Sequence, residues 1–437
     1  MRAVLSGQHM EAQWDVTRRD VAKVELQPRM DALAARVREE TQIPGVVLGA
    51  SVDGRRTYAV AGTSEAGQRR RLEKSASFAL GCASKLPLAI TAHELARHGS
   101  IDLRAPIGTY LPELRASSHG ETVLCEHLLS HTSGYRGTNI FDSRMRALTW
   151  EGLVAYLEAA PRLFSPGTVF SYEHTESVLL SEIIRRVAGG VPGAGVAAER
   201  SGASAGRHVF DERLARFVVL DVPEPIPPFW QPAFSERSVT VDDLLDLGEA
   251  ALRVPELQRS VVRLPPSAGG PLRELMPLAF GLGCAELRGG FRGSTGVAAG
   301  QCVGLRFASR KCVAVGLNAM VPHLRDFVLT ALCNEVAGVP PRENRQPFGF
   351  DLRDLTGRYI GPGTAMVNVH HADERLVCTL GHEDRRASLQ VDFVLDDDLR
   401  PVLRSPVPQL SLAFFKEPLE GAIGLMVGLS AYRRVAP

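Results

Sequence analysis

The sequence predicts an α+β domain followed by a short region built of strands alone. Two observations place strands at both ends of the first domain with helices between them. A hairpin pattern occupies Val46 to Ala61, and alternating apolar segments run from Phe280 to Asn318. A third observation marks the second region. After P-P-R-E-N-R-Q-P the texture changes, and from Leu352 onward about seven short strands follow one another between turns such as Gly361-Pro362-Gly363 and Asp396-Asp397-Asp398. With 437 residues the chain is too long for one small core, so two domains are expected. The boundaries read as an N-terminal extension over 1–27, a main domain over 28–338, a linker over 339–347, and a closed barrel or sandwich over 348–437.

In order along the chain, residues 1–27 are polar and carry no readable pattern. From Pro28 to Glu40, Met30, Leu33, Ala34 and Val37 recur at helical spacing. In the hairpin, Val46 to Val52 form one strand, Asp53-Gly54 the turn and Thr57 to Ala61 the return. The stretch F-A-L-G-C-A-S-K, Phe78 to Lys85, then runs from a strand-like approach into a helix over Leu86 to His98, closed by Gly99. Ile101 to Leu114 is a proline-punctuated loop. L-L-S-H-T-S-G, Leu128 to Gly134, marks a tight hydrogen-bonded turn. S-P-G-T-V-F-S-Y-E-H-T-E, Ser165 to Glu176, leads into a helix over Ser177 to Val187, with Thr175 or Glu176 as cap and Gly189-Gly190 as stop. Residues 189–207, rich in Gly, Ala and Ser, read as a flexible surface insertion. Thr240 caps a helix reaching Leu252. Three antiparallel strands and a helix over Leu324 to Val336 complete the domain.

Composition excludes several functions. An apolar fraction of 45% with 23% charged residues argues against wholesale disorder. Fifty basic against 49 acidic side chains give no reason to expect nucleic acid or an anionic membrane as partner. Arg69-Arg70-Arg71 reads as a solvated turn. Cys82, Cys125, Cys284, Cys302, Cys312, Cys333 and Cys378 are odd in number, scattered and without paired metal spacing. That pattern suits a reducing compartment and implies neither metal nor cofactor. The N-terminus lacks the apolar core of a signal peptide. No window reaches the roughly 18 apolar residues of a membrane span. The cytoplasm is the expected location.

The chemistry concentrates at Cys82. It sits at the start of a helix, and Lys85, one turn on, shares its face. Helix-end N–H groups and a nearby cation both favour thiolate over thiol, which a nucleophile requires. Taken alone, a free cysteine there reads more readily as a core residue.

Three stretches change that balance, because in order and separation they resemble the serine β-lactamase-like family of class C β-lactamases, penicillin-binding esterases and D-aminopeptidases. G-C-A-S-K matches Ser-x-x-Lys at Cys82 and Lys85, and Tyr172-Glu173-His174 stands at Tyr-x-Asn. Ser294-Thr295-Gly296 stands at Lys-Thr-Gly or His-x-Gly, with Phe291-Arg292-Gly293 as the competing register. The I-P-G hairpin, the D-L-x-x-P-I-x-x-Y-L-P segment and L-L-S-H-T-S-G support the match, which covers about residues 28–338. The resemblance implies a β-lactamase/transpeptidase-like fold, with the Cys82 helix beside a five-stranded antiparallel sheet. The C-terminal strands resemble the lipocalin-like barrel of some members. It further implies Cys82 as nucleophile, Lys85 and Tyr172 as proton relay, and the N–H groups of Cys82 and Val297 as oxyanion hole. His174, Ser294, Thr295 and Gly296 would bind substrate. His131 reads as the brace of a turn.

The departures from that pattern shape the expected activity. Serine at 294 removes the cation that helps hold a β-lactam carboxylate. Cysteine at 82 turns the acyl-enzyme into a thioester, which reacts readily with amines and slowly with water. The expected function is therefore an ATP-independent acyltransferase, taking an acyl group from an ester or thioester and passing it to an amine through acyl-Cys82. Family members that build natural products, such as the transacylase of capuramycin-type antibiotics, are the example that fits. An esterase or amidase and a catalytically inactive binding protein are the alternatives. The expected partners are a small acyl donor and an amine.

Overall fold

The computed structural model describes residues 26–115, 122–137, 147–189, 203–211, 214, 216–220, 225–264, 277–337, 357–360, 365–372, 375–382, 385–393, 412–416, 423–427 and 430–435. The first half holds α1 (Leu26–Thr41), β1 (Gly45–Val52), β2 (Arg55–Gly62), β3 (Ser77–Gly81), α2 (Lys85–Arg97), α3 (Cys125–Leu129), α4 (Trp150–Ala159) and α5 (Thr175–Ala188). Next come β4 (His208–Asp211), β5 (Arg216–Val219), β6 (Ser235–Thr240), α6 (Val241–Leu252), β7 (Ser260–Arg263), β8 (Ala279–Gly281) and β9 (Ala285–Glu286). β10 (Arg292–Ala298), β11 (Gln301–Ala308), β12 (Lys311–Leu317) and α7 (Pro322–Ala337) close the main domain.

Its centre is an antiparallel sheet in the order β2-β1-β12-β11-β10-β9-β8-β7. The hairpin turn is Asp53-Gly54, both with positive φ, and the ladder runs from Val52–Arg55 to Gly45–Gly62. Alternation along the strands gives the sheet two apolar faces. Val46, Leu48 and Ala50 of β1 and Val313, Val315 and Leu317 of β12 meet α1 and α7 on one side. Val47, Leu305, Phe307 and Ala314 face α6 and the other helices on the opposite side. In α1, Met30, Leu33, Ala34 and Val37 are each at most 5% exposed. Burying a large aliphatic side chain is worth roughly 1.5–3 kcal/mol, against at most about 0.7 kcal/mol per residue of helix propensity. Docking on the sheet therefore holds α1.

β3 lies against this sheet and pairs with β6 from Ser77–Thr240 to Gly81–Ser235. Gln301 fixes the junction, accepting from the Ala79 N–H at 2.8 Å and donating to the Ala205 carbonyl at 2.7 Å. α6 begins with the predicted cap, in which the Asp243 N–H donates to Thr240 Oγ1 and the Thr240 N–H to Asp243 Oδ2.

β13 (Gly357–Ile360), β14 (Ala365–Ala372), β15 (Arg375–His382), β16 (Arg385–Phe393), β17 (Leu412–Lys416), β18 (Ile423–Val427) and β19 (Ser430–Val435) form a second antiparallel sheet, in the order β16-β15-β14-β13-β19-β18-β17. A ladder between β16 and β17, which closure into the expected barrel requires, is not among the described pairings. Ile360 of β13 packs on the cluster of Leu163, Phe164, Phe170 and Phe280, which also touches Tyr172.

The fold differs from expectation in several places. The sheet has eight strands, because the five long ones continue through the short β9, β8 and β7. The N-cap of α5 is His174, without a side-chain cap bond, and Thr175 and Glu176 lie inside the helix. Residues 190–202 of the expected surface insertion lie outside the described residues, and its end is anchored: Ala205 is buried and its N–H donates to the Ser77 carbonyl, while the Ser77 N–H donates to the Ala203 carbonyl. α4 and the β4–β5 hairpin answer to no predicted element. Most of the expected extension and the whole 339–347 linker also lie outside the described residues.

Candidate active site

The site begins at the end of β3. Gly81 has φ 57 and ψ −139, a conformation that strains any residue with a Cβ. A Cβ here would also fall within 2.7–2.9 Å of the Val297 backbone atoms. The next three residues, Cys82–Ser84, turn as a 3₁₀ helix, and Lys85 opens α2. The predicted helix start is therefore preceded by a tighter turn, with Cys82 at its first position.

Cys82 is half-buried, whereas Cys125, Cys284, Cys302, Cys312 and Cys333 are buried. Burial pushes Cys125, Cys284, Cys302 and Cys312 up to about 12 and Cys333 up to about 11, so these thiols are inert at neutral pH. Lys85 is 8% exposed. Its Nζ donates to the Ala233 carbonyl at 2.5 Å and stands 4.8 Å from the Tyr172 ring centroid. Burial lowers its pKa, opposed by the negative charge available at Cys82 and Glu176. Burial, the Cys82 charge and a hydrogen bond to the Cys82 side chain together push the Tyr172 phenol well above its usual 10.0. Cys82, Lys85 and Tyr172 are thus brought together as the sequence led one to expect. His174 joins them, with Nε2 3.8 Å from Cys82 Sγ.

The opposite wall is β10. A Cβ on Gly296 would lie 2.0 Å from the Leu80 carbonyl oxygen and 3.1 Å from the Ala83 nitrogen. Gly293 instead faces the Leu305 carbonyl and Arg306. It is therefore Ser294-Thr295-Gly296, and not Phe291-Arg292-Gly293, that runs beside the Cys82 turn. Behind the strand, the buried Arg325 of α7 donates to the Gly296 carbonyl at 3.2 Å and pairs with Asp326 at 2.8 and 2.9 Å. The Gly296 carbonyl and the Val297 N–H belong to one peptide unit and point oppositely, so the Arg325 contact fixes where that N–H is aimed.

His131 is a brace. Its Nδ1 lies 2.6 Å from Glu176 Oε2, and the Ser133 hydroxyl donates to Glu176 Oε1 at 2.6 Å. Its ring stands 4.8 Å from that of Tyr172, so the turn backs the tyrosine. Sequence reasoning missed the roles of Glu176, Glu173 and Arg325. Glu176 is 1% exposed. Glu173 is buried, and neither carboxyl oxygen has a hydrogen-bond partner among the described residues. Burial and the nearby Glu176 push its carboxyl well above the usual range. No sequence signal distinguishes these residues from solvated helix positions. Among the described residues, no cluster of three or more His, Cys, Asp or Glu side chains could hold a metal ion. No helix there is long and apolar enough to cross a membrane.

The profile of the Beta-lactamase family matches residues 30–337. Esterase EstB of Burkholderia gladioli is 27% identical over 195 residues, which make up 41% of this chain and 50% of the esterase. The chain thus spans about half the length of that curated relative. Among solved structures, SurE superposes with TM-score 0.67 at 20% identity, covering 94% of this chain and 99% of SurE. The D-alanine carboxypeptidase AmpC of Burkholderia cenocepacia superposes with TM-score 0.55 at 19% identity, covering 71% and 98%. These two likenesses speak for the fold, which carries the Cys82 turn and the β10 wall. The profile takes in both, and this chain belongs to the Beta-lactamase family.

Proposed function

We propose that the chain is an acyltransferase that forms an amide through an acyl-Cys82 thioester. The observation that carries the reading is a thiol, half-buried at the head of α2, hydrogen-bonded to a phenol that lies under a lysine ammonium. In this reading the Cys82 sulfur attacks the carbonyl carbon of an ester or thioester. The N–H groups of Cys82 and Val297 receive the oxyanion, the second aimed by Arg325 through Gly296. Tyr172 and Lys85 pass a proton to the departing group. An amine then attacks the thioester, and the thiol is regenerated. His174 and Ser294 to Gly296 line the two sides that substrate must enter between. With serine at 294, these positions lack the cation that suits a β-lactam carboxylate.

The likeness to an esterase supports hydrolysis as the second reading, with water in place of the amine. That SurE was solved with D-Leu makes D-amino acids the first amines to try. Cys82, Cys125, Cys284, Cys302, Cys312 and Cys333 are free, which supports a reducing compartment such as the cytoplasm.

Intact-mass spectrometry after mixing with an activated ester tests the reading. One acyl group is expected on the wild type and none on Cys82→Ala, with the adduct released faster by amine than by buffer. Labelling that persists in Cys82→Ala would remove Cys82 as nucleophile. Equal release by amine and buffer would leave the hydrolase.

A further inference from the structure

We propose that His174 is the base that takes the Cys82 proton, so that the nucleophile works as a cysteine–histidine pair. This rests on the acyl-Cys82 reading and assigns one of its proton transfers. Where the family pattern has an asparagine, an amide that cannot accept a proton, this chain has an imidazole. Its placement brings that imidazole to the sulfur. His174 stands at the N-cap of α5 with φ −92 and ψ −28, and its side chain makes no cap bond. The ring is 6% exposed and lies edge-on to Phe234 and Tyr172, at 6.2 and 6.1 Å. Nε2 then comes to 3.8 Å from Sγ, within reach of an S–H···N bond.

The neighbours leave this work undone. Lys85 spends a proton on the Ala233 carbonyl and faces the Tyr172 ring. Tyr172 holds its own proton firmly, so at neutral pH its hydroxyl donates to sulfur and does not take the thiol proton. A free imidazole is about two pKa units weaker as a base than a free thiolate. The Tyr172 donor and the cations of Lys85 and Arg325 stand around the sulfur on which the thiolate charge would form. Glu176 and Glu173 are the acidic groups on the α5 side, and Glu176 is engaged with His131 and Ser133.

The steps balance. The Cys82 proton moves to Nε2, and the thiolate forms the S–C bond as the C–O or C–S bond of the donor breaks. The departing alkoxide or thiolate takes that same proton, passed on from Nε2 by way of Tyr172 and Lys85, which leaves Nε2 neutral. The incoming amine forms the N–C bond, gives its proton to Nε2 and breaks the S–C bond. The proton on Nε2 then returns to sulfur.

The test is the pH dependence of Cys82 alkylation by iodoacetamide, read by peptide mass spectrometry on the full chain. In the wild type Cys82 should already react at pH 6. In His174→Asn that rate should fall at least 10-fold, and the midpoint should rise by a unit or more toward the free-thiol value of about 8.5. Coincident profiles would overturn the proposal. If His174→Asn fails to fold, thiolate absorbance in the wild type, with Cys82→Ser as blank, decides instead. Absorbance that appears only near pH 8.5 overturns the pair. Failure of the acyl-transfer reading is seen separately, as a wild type that gains no acyl group while the alkylation profiles still differ.

Discussion

Glu173 lies just before the cap of α5 and Glu176 in its first turn, and their carboxyls meet different fates. Glu176 accepts from His131 and the Ser133 hydroxyl and so holds the turn that backs Tyr172. Glu173 is buried beside Gly137 and is held protonated by its surroundings. Because its folded pKa is raised, the unfolded chain releases this proton first, and Glu173 costs stability as pH rises above its ordinary 4.5. Glu173→Gln should therefore raise the unfolding free energy at pH 7, because glutamine has no charged form for burial to penalise. The gain should vanish near pH 4. Thermal unfolding of both proteins across pH 4–8 checks this, and equal pH slopes would contradict it. The sequence did not reveal this pair. A glutamate in Y-E-H-T-E looks like any helix-start carboxylate, and its burial is decided by Ser133 and Gly137, some 40 residues away. Cys82 and Lys85 were legible as a pair three residues apart at a helix start, and Tyr172 through the resemblance of Tyr172-Glu173-His174 to a family motif.

Local pattern decided which elements could be foreseen. The four apolar residues of α1, the Asp53-Gly54 turn and the Thr240 cap depend on neighbours within a few positions, and each formed as the sequence predicts. The β3–β6 pair depends on Ser77 finding Thr240, and the polar S-E-R-S-V-T strand announces nothing. The contact of β10 with the Cys82 turn is of this second kind. It needs a glycine at 296, because the Leu80 carbonyl and Ala83 nitrogen are backbone atoms that cannot swing aside. Gly296→Ala should push β10 away from the turn and move the Val297 N–H off its target. A lost oxyanion donor costs about 10²–10³ in kcat, beside a packing penalty of about 1–3 kcal/mol. Steady-state kinetics should show the fall in kcat with Cys82 still alkylated. A kcat within a few-fold of wild type would exclude Val297 from the oxyanion hole.

Over the whole molecule, buried titratable groups set a pH window for stability. Burial lowers His93, His127 and His208 below the ordinary 6.5, so the unfolded chain takes up protons first as pH falls and stability is lost on the acid side. The five buried thiols are raised from 9.0 to about 11 or 12, so the unfolded chain ionises first as pH rises and stability is lost above pH 9. Lys85, lowered by burial, opposes this alkaline loss but is one group against five. Denaturant midpoints should therefore form a plateau between about pH 6.5 and 9 and fall on both sides. A midpoint still rising at pH 10 would contradict it. The sheet has one more consequence, for synthesis. β1 finds its inner partner in β12, so Val46 waits for Leu317 about 270 residues later. At 5–20 residues per second that wait lasts roughly 15–50 s. Cys82 leaves the ribosome early in this interval, long before β10 and Arg325 exist to face it. A ribosome that stalls before α7 therefore presents the Cys82 thiol without its facing wall, and the proposed cleft is complete only when the last helix of the domain arrives.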